Sequence, residues 1–339
     1  MLAQKTLFYS LLFTAVAVIN FSPAFAKILF QDNFDNSPDW QSHQTVNKSV
    51  YPDGYDISWG QSRADKCTTL CPPQGWTSYR AASSHWTDDR RKDTYILSTE
   101  GARGGSGKGI TYNVEVSGYF GTWSGGSLDI WLGEAGYKEL YVRYYIKFGS
   151  SWKWTNSTQT SHLMQKLIRI STFNDNIWET DVNPQQYGSQ GLNWPVWLAE
   201  VYYNKSYPPA QLSSQVRQAP DYNILDTVND SNALIPTDGQ WHSYEFHVKM
   251  NSAPDVADGI WGFYIDGVLK SEKNDIVWKK TGSDLTHDWN WLMLLDNVTT
   301  ALAPLEDHVE MPLYMDDVVV STSYIGPDDQ TIHLNKPTF

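Results

Sequence analysis

Residues 138–148 (KELYVRYYIKF) alternate between apolar side chains and side chains that could bind a ligand. Because successive side chains of a β-strand point to opposite faces, one face of this predicted strand carries two tyrosines, an arginine and a lysine. These residues are Tyr141, Arg143, Tyr145 and Lys147. Such a row exceeds what solvation requires and fits a sugar-binding sheet face. The alternative is an edge strand that shows ordinary amphipathic residues to water.

Strands of this kind recur along the chain. The clearest predicted strands are residues 28–34, 109–116, 128–132, 140–148, 162–170, 196–203, 241–250, 260–265, 291–295 and 313–321. Clusters of Gly, Pro, Asn and Asp separate them, and no helical period is sustained. The pattern predicts an all-β protein in which residues 27–326 form one large sandwich domain.

Two stretches lack the alternation and are predicted to be long loops. The first spans residues 35–93, and the second, residues 204–238, follows strand 196–203. Loops of this length are usually functional, so we expect them to wall a cleft, and the alternative is that they cover sandwich edges. The tail, residues 327–339, is expected to be disordered or to clamp back onto the sandwich.

The N-terminus has the features of a secretory signal peptide over residues 1–26. Lys5 supplies the positive start, residues 7–19 are apolar, and Ala24 and Ala26 place small residues at the cleavage positions. The apolar run is too short for a membrane span, and no later stretch is long enough. We therefore expect an exported protein, periplasmic or extracellular, without a membrane span.

Composition narrows the classes of partner. The 339 residues carry a formal charge of −13, and loss of residues 1–26 removes one lysine and no acid, which leaves −14. This charge disfavours nucleic acid and anionic membranes. Sixteen tryptophans and 20 tyrosines exceed the needs of the core and favour carbohydrate. The only cysteines, Cys67 and Cys71, are expected to form a disulfide, and the chain to be a monomer.

The last third of the chain resembles the concanavalin A-like superfamily of jelly-roll sandwiches. Residues 239–269 (GQWHSYEFHVKMNSAPDVADGIWGFYIDGVL) and 313–325 (LYMDDVVVSTSYI) carry its W-H strand, its D-G turn and its terminal D-D-hydrophobic strand in that order. The pattern most resembles polysaccharide lyases of the heparin-lyase and alginate-lyase type. The resemblance implies a β-sandwich of two antiparallel sheets with long loops, and a polysaccharide as partner. Lectins and glycosidases share this architecture.

The resemblance also implies a set of catalytic side chains. A lyase needs a cation or amide to neutralise a uronate carboxylate, a base for the C5 proton and an acid for the leaving oxygen. The catalytic candidates are Arg143, Tyr145, His162, Gln165, Lys166 and Tyr202. The candidates for substrate binding are Tyr141, Lys147, Arg169, Trp197 and Glu200. Jelly-roll alginate lyases place a Gln and a His two residues apart, whereas here Leu167 follows Gln165 at that spacing.

The alternation of faces along the predicted strand 162–170 indicates which of its candidate side chains could line a cleft. Strict alternation puts Gln165 and Arg169 on one face and His162 and Lys166 on the other. Gln165 and Arg169 are then the better candidates for a cleft, although a β-bulge would exchange the faces. The Glu-x-Asp-x-x-Glu spacing of glycosidases in this superfamily is not found, so hydrolysis is the weaker prediction.

A structural calcium ion is the expected cofactor. Sandwiches of this superfamily often join their first and last strands through a hard cation, and carboxylates with backbone carbonyls are what calcium prefers. Here Asp32 and Asp35 would meet Asp316 or Asp317. The alternative is that these are solvated aspartates at strand ends.

Taken together, the resemblance and the residues predict an exported protein that cleaves a uronate-containing polysaccharide by β-elimination. Arg143 would neutralise the carboxylate, and Tyr145 or Tyr202 would transfer protons. A non-catalytic, lectin-like carbohydrate-binding protein is the first alternative, and a glycoside hydrolase is the second.

Overall fold

The computed structural model describes residues 27–42, 60–65, 67, 71–81, 94–115, 123–124, 126–152, 163–173, 195–204, 207–220, 224–296, 298–300 and 310–327. In these residues the first strands are β1 (Ile28–Asp32), β2 (Trp40–Gln41), β3 (Gly60–Arg63), β4 (Ser78–Ala81), β5 (Tyr95–Ser98), β6 (Gly109–Glu115), β7 (Trp123–Ser124), β8 (Gly126–Trp131), β9 (Glu139–Phe148) and β10 (Leu163–Ser171). The remaining strands are β11 (Val196–Asn204), β12 (Tyr207–Arg217), β13 (Ile224–Leu234), β14 (His242–Lys249), β15 (Gly259–Ile265), β16 (Val268–Ile276), β17 (Trp291–Leu294), β18 (Val298–Thr300) and β19 (Glu310–Ser321). Two 3-10 turns lie between β5 and β6, at Thr99–Gly101 and Arg103–Gly105.

The described strands form two antiparallel sheets. Sheet A has the order β16-β15-β14-β9-β19-β6-β5-β2, and β1 also pairs with β19. Sheet B has the order β13-β12-β11-β10-β17-β8-β4-β3, and β18 pairs with β10 and β7. This architecture confirms the predicted all-β sandwich of two antiparallel sheets.

The hydrophobic core lies between the two sheets. Val142 and Tyr144 of β9 point into it and are fully buried. The Tyr144 hydroxyl donates a hydrogen bond of 2.7 Å to the carbonyl of Leu167 in sheet B, and the Trp197 ring of β11 stacks on Trp261 of β15 at 5.5 Å. Burying a side chain of this kind stabilises the fold by about 1.5–3 kcal/mol. The outer faces of the sheets are therefore the surfaces left for other roles.

All ten strands predicted from alternation have a counterpart, but the second predicted loop is wrong. Within residues 204–238 the chain forms β12 and β13, which extend sheet B by two strands of 11 residues each. On β12, Leu212 and Val216 are buried in the core, but Ser214 replaces an apolar residue between them. Its hydroxyl accepts a hydrogen bond of 2.6 Å from Trp197. Because this inner position is polar, the apolar alternation is interrupted, and the sequence does not predict the strand.

The first predicted loop, residues 35–93, also contains strands, namely β2, β3 and β4. The predicted disulfide between Cys67 and Cys71 is confirmed. The predicted signal peptide and residues 328–339 lie outside the described residues. In the part of the chain that is described, neither 3-10 turn has the length or hydropathy of a membrane-crossing helix.

Candidate functional site

The outer face of sheet B carries polar side chains in rows that cross the strands. Antiparallel pairing places Arg169 of β10 opposite Met293 of β17, and Met293 opposite Asp129 of β8. Paired residues of an antiparallel ladder share a face, with Cβ atoms about 4.5–5.5 Å apart. Met293 belongs to a small cluster separate from the main core, so this row lies on the outer face. All three side chains are buried.

A β-bulge in β10 brings a second cation onto this face. The register between β10 and β11 shifts between Lys166 and Ile168, and Lys166 pairs with Glu200. Because a bulge opposes two residues to one, the alternation is interrupted at Leu167. Lys166 and Arg169 therefore share the outer face with Glu200, although strict alternation predicts opposite faces for the two cations.

Five ionisable side chains meet here, and we call them the charged group: Lys166, Arg169, Glu200, Arg217 and Asp296. The Nη2 atom of Arg169 lies 3.0 Å from Oδ2 of Asp296, and the two side chains are 9% and 0% exposed. Gln215 of β12 joins the other members, since its Nε2 donates to Glu200 Oε1 at 3.1 Å and its Oε1 accepts from Arg217 Nη2 at 3.4 Å. Strands β10, β11 and β12 and the residues after β17 thus build one polar centre.

Burial perturbs the protonation of this group. Burial raises the pKa of the Glu200 carboxyl, against the opposing effects of Lys166, the Gln215 hydrogen bond and Arg169. Burial, reinforced by the charge of Arg169, lowers the pKa of Arg217 to about 10. Three basic side chains surround two acidic ones, so a bound anion would relieve the repulsion between the two arginines.

Some polar atoms of the charged group are buried and make no hydrogen bond to any described residue. They include Oε2 of Glu200 and Nε of Arg169. A buried polar atom without a partner costs about 1–3 kcal/mol, which a ligand that pairs with it would recover. The charged group therefore contains one donor atom, on Arg169, and one acceptor atom, on Glu200, whose hydrogen-bonding capacity is not used by the described residues.

Gln165 supports the charged group from beneath. It pairs with Val201, a core residue, so it does not share the face of Arg169 as strict alternation predicts. Its Nε2 atom donates to the carbonyls of Asp296 at 3.2 Å and Lys166 at 3.0 Å. Gln165 thus holds the backbone that carries two members of the charged group.

The other candidates of β10 and β11 fall in different places. Tyr202 lies in β11 two positions beyond Glu200, opposite Met164. His162 lies outside the described residues. Trp197 is fully buried in the core, where it stacks on Trp261. This corrects its assignment to substrate binding, because its parity on β11 is opposite to that of Glu200.

A second cluster lies on the same outer face, and we call it the Trp131 cluster: Trp131, Phe173, Trp291 and Met293. Trp291 pairs with Trp131 across β17 and β8, with ring centroids 6.0 Å apart. Trp131 is partly exposed, whereas the other three side chains are buried. The face therefore combines an aromatic surface with the charged group.

Arg143 and Tyr145 lie on the outer face of sheet A, on the opposite side of the sandwich from the charged group. Arg143 is 5% exposed and donates to the carbonyl of Gly326 at 3.4 Å. The Tyr145 ring lies beneath the Arg103 guanidinium, 3.8 Å from its centroid. The structure therefore does not bring this stripe together with β10 and β11, because β9 and β10 belong to different sheets.

The C-terminal segment, residues 322–327, covers this part of sheet A. The buried Glu245 carboxylate accepts hydrogen bonds from the backbone N–H groups of Ile325 and Gly326, both at 2.8 Å. Residues 322–327 are thus fastened to the outer face of sheet A, and of the tail predicted from residue 327 onward the structure describes Pro327 alone.

Tyr141 and Lys147 occupy the two ends of the same outer face. The Tyr141 ring stacks on His247 with centroids 4.1 Å apart. Lys147 Nζ lies 4.4 Å from the ring centroid of Tyr314 and 5.0 Å from that of Trp241. Both side chains therefore pack against residues of their own sheet.

The four aspartates predicted to bind calcium are engaged by protein donors. Asp32 accepts from Trp76 Nε1 at 2.8 Å, and Asp35 accepts from the Lys108 N–H at 3.1 Å. Within the described residues, no group of three histidine, cysteine or acidic side chains converges as a set of metal ligands. Calcium at this junction therefore stays a prediction.

Asp316 and Asp317 share one cationic neighbour. A bulge in β19 begins at Asp316, and Asp317 has a φ of 50°. The backbone N–H of Arg103 donates to Asp316 Oδ2 at 2.7 Å, while its guanidinium pairs with Asp317. Burial raises the pKa of the Asp316 carboxyl to about 7. Arg103 thus supplies positive charge at the position where the cation is predicted.

Three residues that belong to the charged group or bond to it were not predicted from the sequence: Gln215, Arg217 and Asp296. The first two lie on β12, in the stretch predicted to be a loop. The alternation of Gln211, Ser213, Gln215 and Arg217 with Leu212 and Val216 is the signal that could have revealed them. Asp296 follows β17, and no local pattern marks it.

Comparisons with known proteins give matches among solved structures. No protein-family model matches the chain, and no curated protein matches it. The PL-14 alginate lyase from Aplysia kurodai is 14% identical, with a TM-score of 0.45 over 71% of this chain and 90% of that one. A mutant of alginate lyase Aly36B in complex with alginate tetrasaccharide is 14% identical, with a TM-score of 0.43 over 88% and 98%.

Alginate lyase vAL-1 from a Chlorella virus is 10% identical, with a TM-score of 0.41 over 68% of this chain and 89% of that one. At such identities and scores these likenesses assign neither an activity nor a residue role to this chain.

Proposed function

We propose that the chain is an exported polysaccharide lyase that cleaves a uronate-containing polysaccharide by β-elimination at the outer face of sheet B. The observation that carries this proposal is the charged group, in which three cations, two of them buried, surround two buried acids in a chain of net charge −13. Burying such charges is costly, and a bound anion would repay part of that cost. The signal-like N-terminus supports export.

Arg169 takes the role that the sequence suggested for Arg143. Its guanidinium, held by Asp296, binds the uronate carboxylate, and the adjacent Lys166 adds positive charge. Neutralising that carboxylate makes the C5 proton more acidic, because the carbanion formed at C5 spreads onto the carboxylate. Arg143 lies on the other sheet, beneath the C-terminal segment, and this position favours Arg169 for the role.

Two residues of β11 transfer the protons. Tyr202 removes the C5 proton, and the electron pair forms the C4–C5 double bond as the C4–O bond breaks. Glu200 donates a proton to the leaving oxygen, since its raised pKa favours the protonated acid. The products are an unsaturated uronate and a new reducing end.

A non-catalytic carbohydrate-binding function is the second candidate. The Trp131 cluster favours it, because aromatic rings bind sugars without any need for a base. In that case Arg169 would contribute to affinity alone.

The test incubates the purified protein with alginate, glucuronan, heparin and pectin while the ultraviolet absorbance of unsaturated uronate is recorded. We expect a rise with at least one uronate polymer and none with a neutral glucan. Arg169→Gln should lower kcat/KM by about 10²–10³-fold, the usual cost of losing an electrostatic contact to the transition state. Lys249→Gln on the outer face of sheet A is the control and should keep wild-type activity.

Two other results would overturn the proposal. A flat trace with retention of the protein on a polysaccharide gel would establish the binding function. New reducing ends without the unsaturated product would instead establish hydrolysis.

A further inference from the structure

The Trp131 cluster and the charged group are neighbours on the outer face of sheet B. Arg169 pairs with Met293 of β17, Trp291 lies two positions away on the same strand, and Trp291 pairs with Trp131 of β8. Strand spacing and rise place the Cβ atoms of Arg169 and Trp131 about 12 Å apart on one face. A polysaccharide held at Arg169 could therefore also reach Trp131 through a neighbouring sugar.

The Trp131 ring is supported by side chains that are themselves held in place. The Trp291 ring lies 6.0 Å from it, and the Phe173 ring packs against Trp291 with centroids 5.5 Å apart. The Asn290 side chain bonds both the N–H and the carbonyl of Phe173, each at 2.7 Å. A rigid, partly exposed indole loses little entropy when it binds a ligand.

We propose that Trp131 forms a sugar-stacking subsite for a ring next to the uronate bound at Arg169. The identity of the ligand rests on the proposed function. A single supported indole offers one apolar surface, which matches the apolar face of a pyranose ring. It is far smaller than the roughly 800 Å² per partner that a stable protein interface needs.

The subsite has a kinetic consequence. Trp131 lies away from the reacting atoms, so its contact contributes equally to the bound substrate and to the transition state. Such uniform binding lowers KM and leaves kcat unchanged. The contact exists only for substrates long enough to reach the indole, so the effect of Trp131 should depend on chain length.

The experiment compares Trp131→Ala with the wild type on the cleaved polymer and on its shortest cleaved oligosaccharide. We expect KM for the polymer to rise about tenfold, with kcat and the short substrate unaffected and with Trp131→Phe restoring KM. Trp241→Ala, which removes a partly exposed tryptophan next to β14 of sheet A, is the matched control and should behave as wild type. A folded Trp131→Ala protein with wild-type KM for the polymer would overturn the inference.

A second measurement uses the unaltered protein, so it does not depend on the folding of a variant. Tryptophan oxidation by N-bromosuccinimide, mapped by mass spectrometry, should be slower at Trp131 in the presence of alginate oligosaccharides and unchanged at Trp241. Equal oxidation of Trp131 with and without saccharide would refute the subsite. Protection without any lyase activity would refute the proposed function and keep the subsite.

Discussion

The guanidinium of Arg169 and the carboxylate of Asp296 lie 3.0 Å apart with almost no exposure to water. The pair joins β10 to the residues that follow β17, and it fixes one orientation of the cation on the outer face of sheet B. A buried ion pair contributes little net stability, but loss of one partner leaves the other charge uncompensated. The pair therefore positions the Arg169 guanidinium.

Asp296→Asn should destabilise the protein by about 3–5 kcal/mol, because it leaves Arg169 buried without its counter-charge. Urea unfolding followed by circular dichroism measures the change. The double variant Arg169→Met/Asp296→Leu should recover most of the stability without recovering activity. Equal stability of Asp296→Asn and wild type would show that the pair does not hold Arg169.

Titration of the Glu200 carboxyl should lower the free energy of unfolding as pH rises. Its folded pKa is raised above the ordinary value of 4.5, so the folded state binds more protons than the unfolded state between those two pKa values. The free energy of unfolding therefore declines with pH from the ordinary pKa up to the raised one. Glu200→Gln removes this titration, so the difference between the two stability profiles should grow across that window. Parallel profiles would contradict the raised pKa.

The hydrogen bonds between Glu245 and the C-terminal segment should stabilise the fold without contributing to activity. Glu245→Ala leaves the buried N–H groups of Ile325 and Gly326 without an acceptor, at a cost of about 1–3 kcal/mol. Limited proteolysis should then cleave the C-terminal segment faster, while kcat/KM stays at the wild-type value. Glu272→Ala, on an exposed part of β16, is the control. Loss of activity in a folded Glu245→Ala protein would return sheet A to the candidate site.

Calcium should stabilise the junction of the first and last strands. Asp316 lies in the field of Asp317 and Asp35, and its raised pKa shows that the neighbouring donors do not fully offset its burial. At about 100 times its Kd, a ligand that binds only the folded state adds about 2.7 kcal/mol. We expect calcium to raise the Tm of chelator-treated protein, and Asp316→Asn to lose the response. An unchanged Tm would show that Arg103 supplies the charge alone.

Much of the fold was predictable because strand alternation is local. The two faces of residues 138–148 were assigned correctly, with Val142 and Tyr144 in the core. Strand β12 was missed because Ser214 occupies an inner position, where the Trp197 indole satisfies its hydroxyl. This hydrogen bond from the neighbouring strand lets a polar residue occupy an inner position. The apolar alternation by which a strand is predicted is interrupted there.

The candidate site was only partly predictable. Lys166, Arg169 and Glu200 were identified by residue type, but the bulge at Leu167 decided that they share a face. Arg143 was the residue expected from sequence to neutralise the carboxylate, but it lies on sheet A, apart from the charged group of sheet B.

The sequence by itself determined which side chains of an uninterrupted strand such as residues 138–148 point together, the all-β class and the disulfide partners. Only the tertiary structure decided which strands share a sheet, and so which polar stripes meet. Strand pairing depends on contacts between distant residues, such as Gln165 and Asp296, which are 131 positions apart. No local period encodes such a contact, because its energy comes from burial and hydrogen bonding in the assembled sandwich.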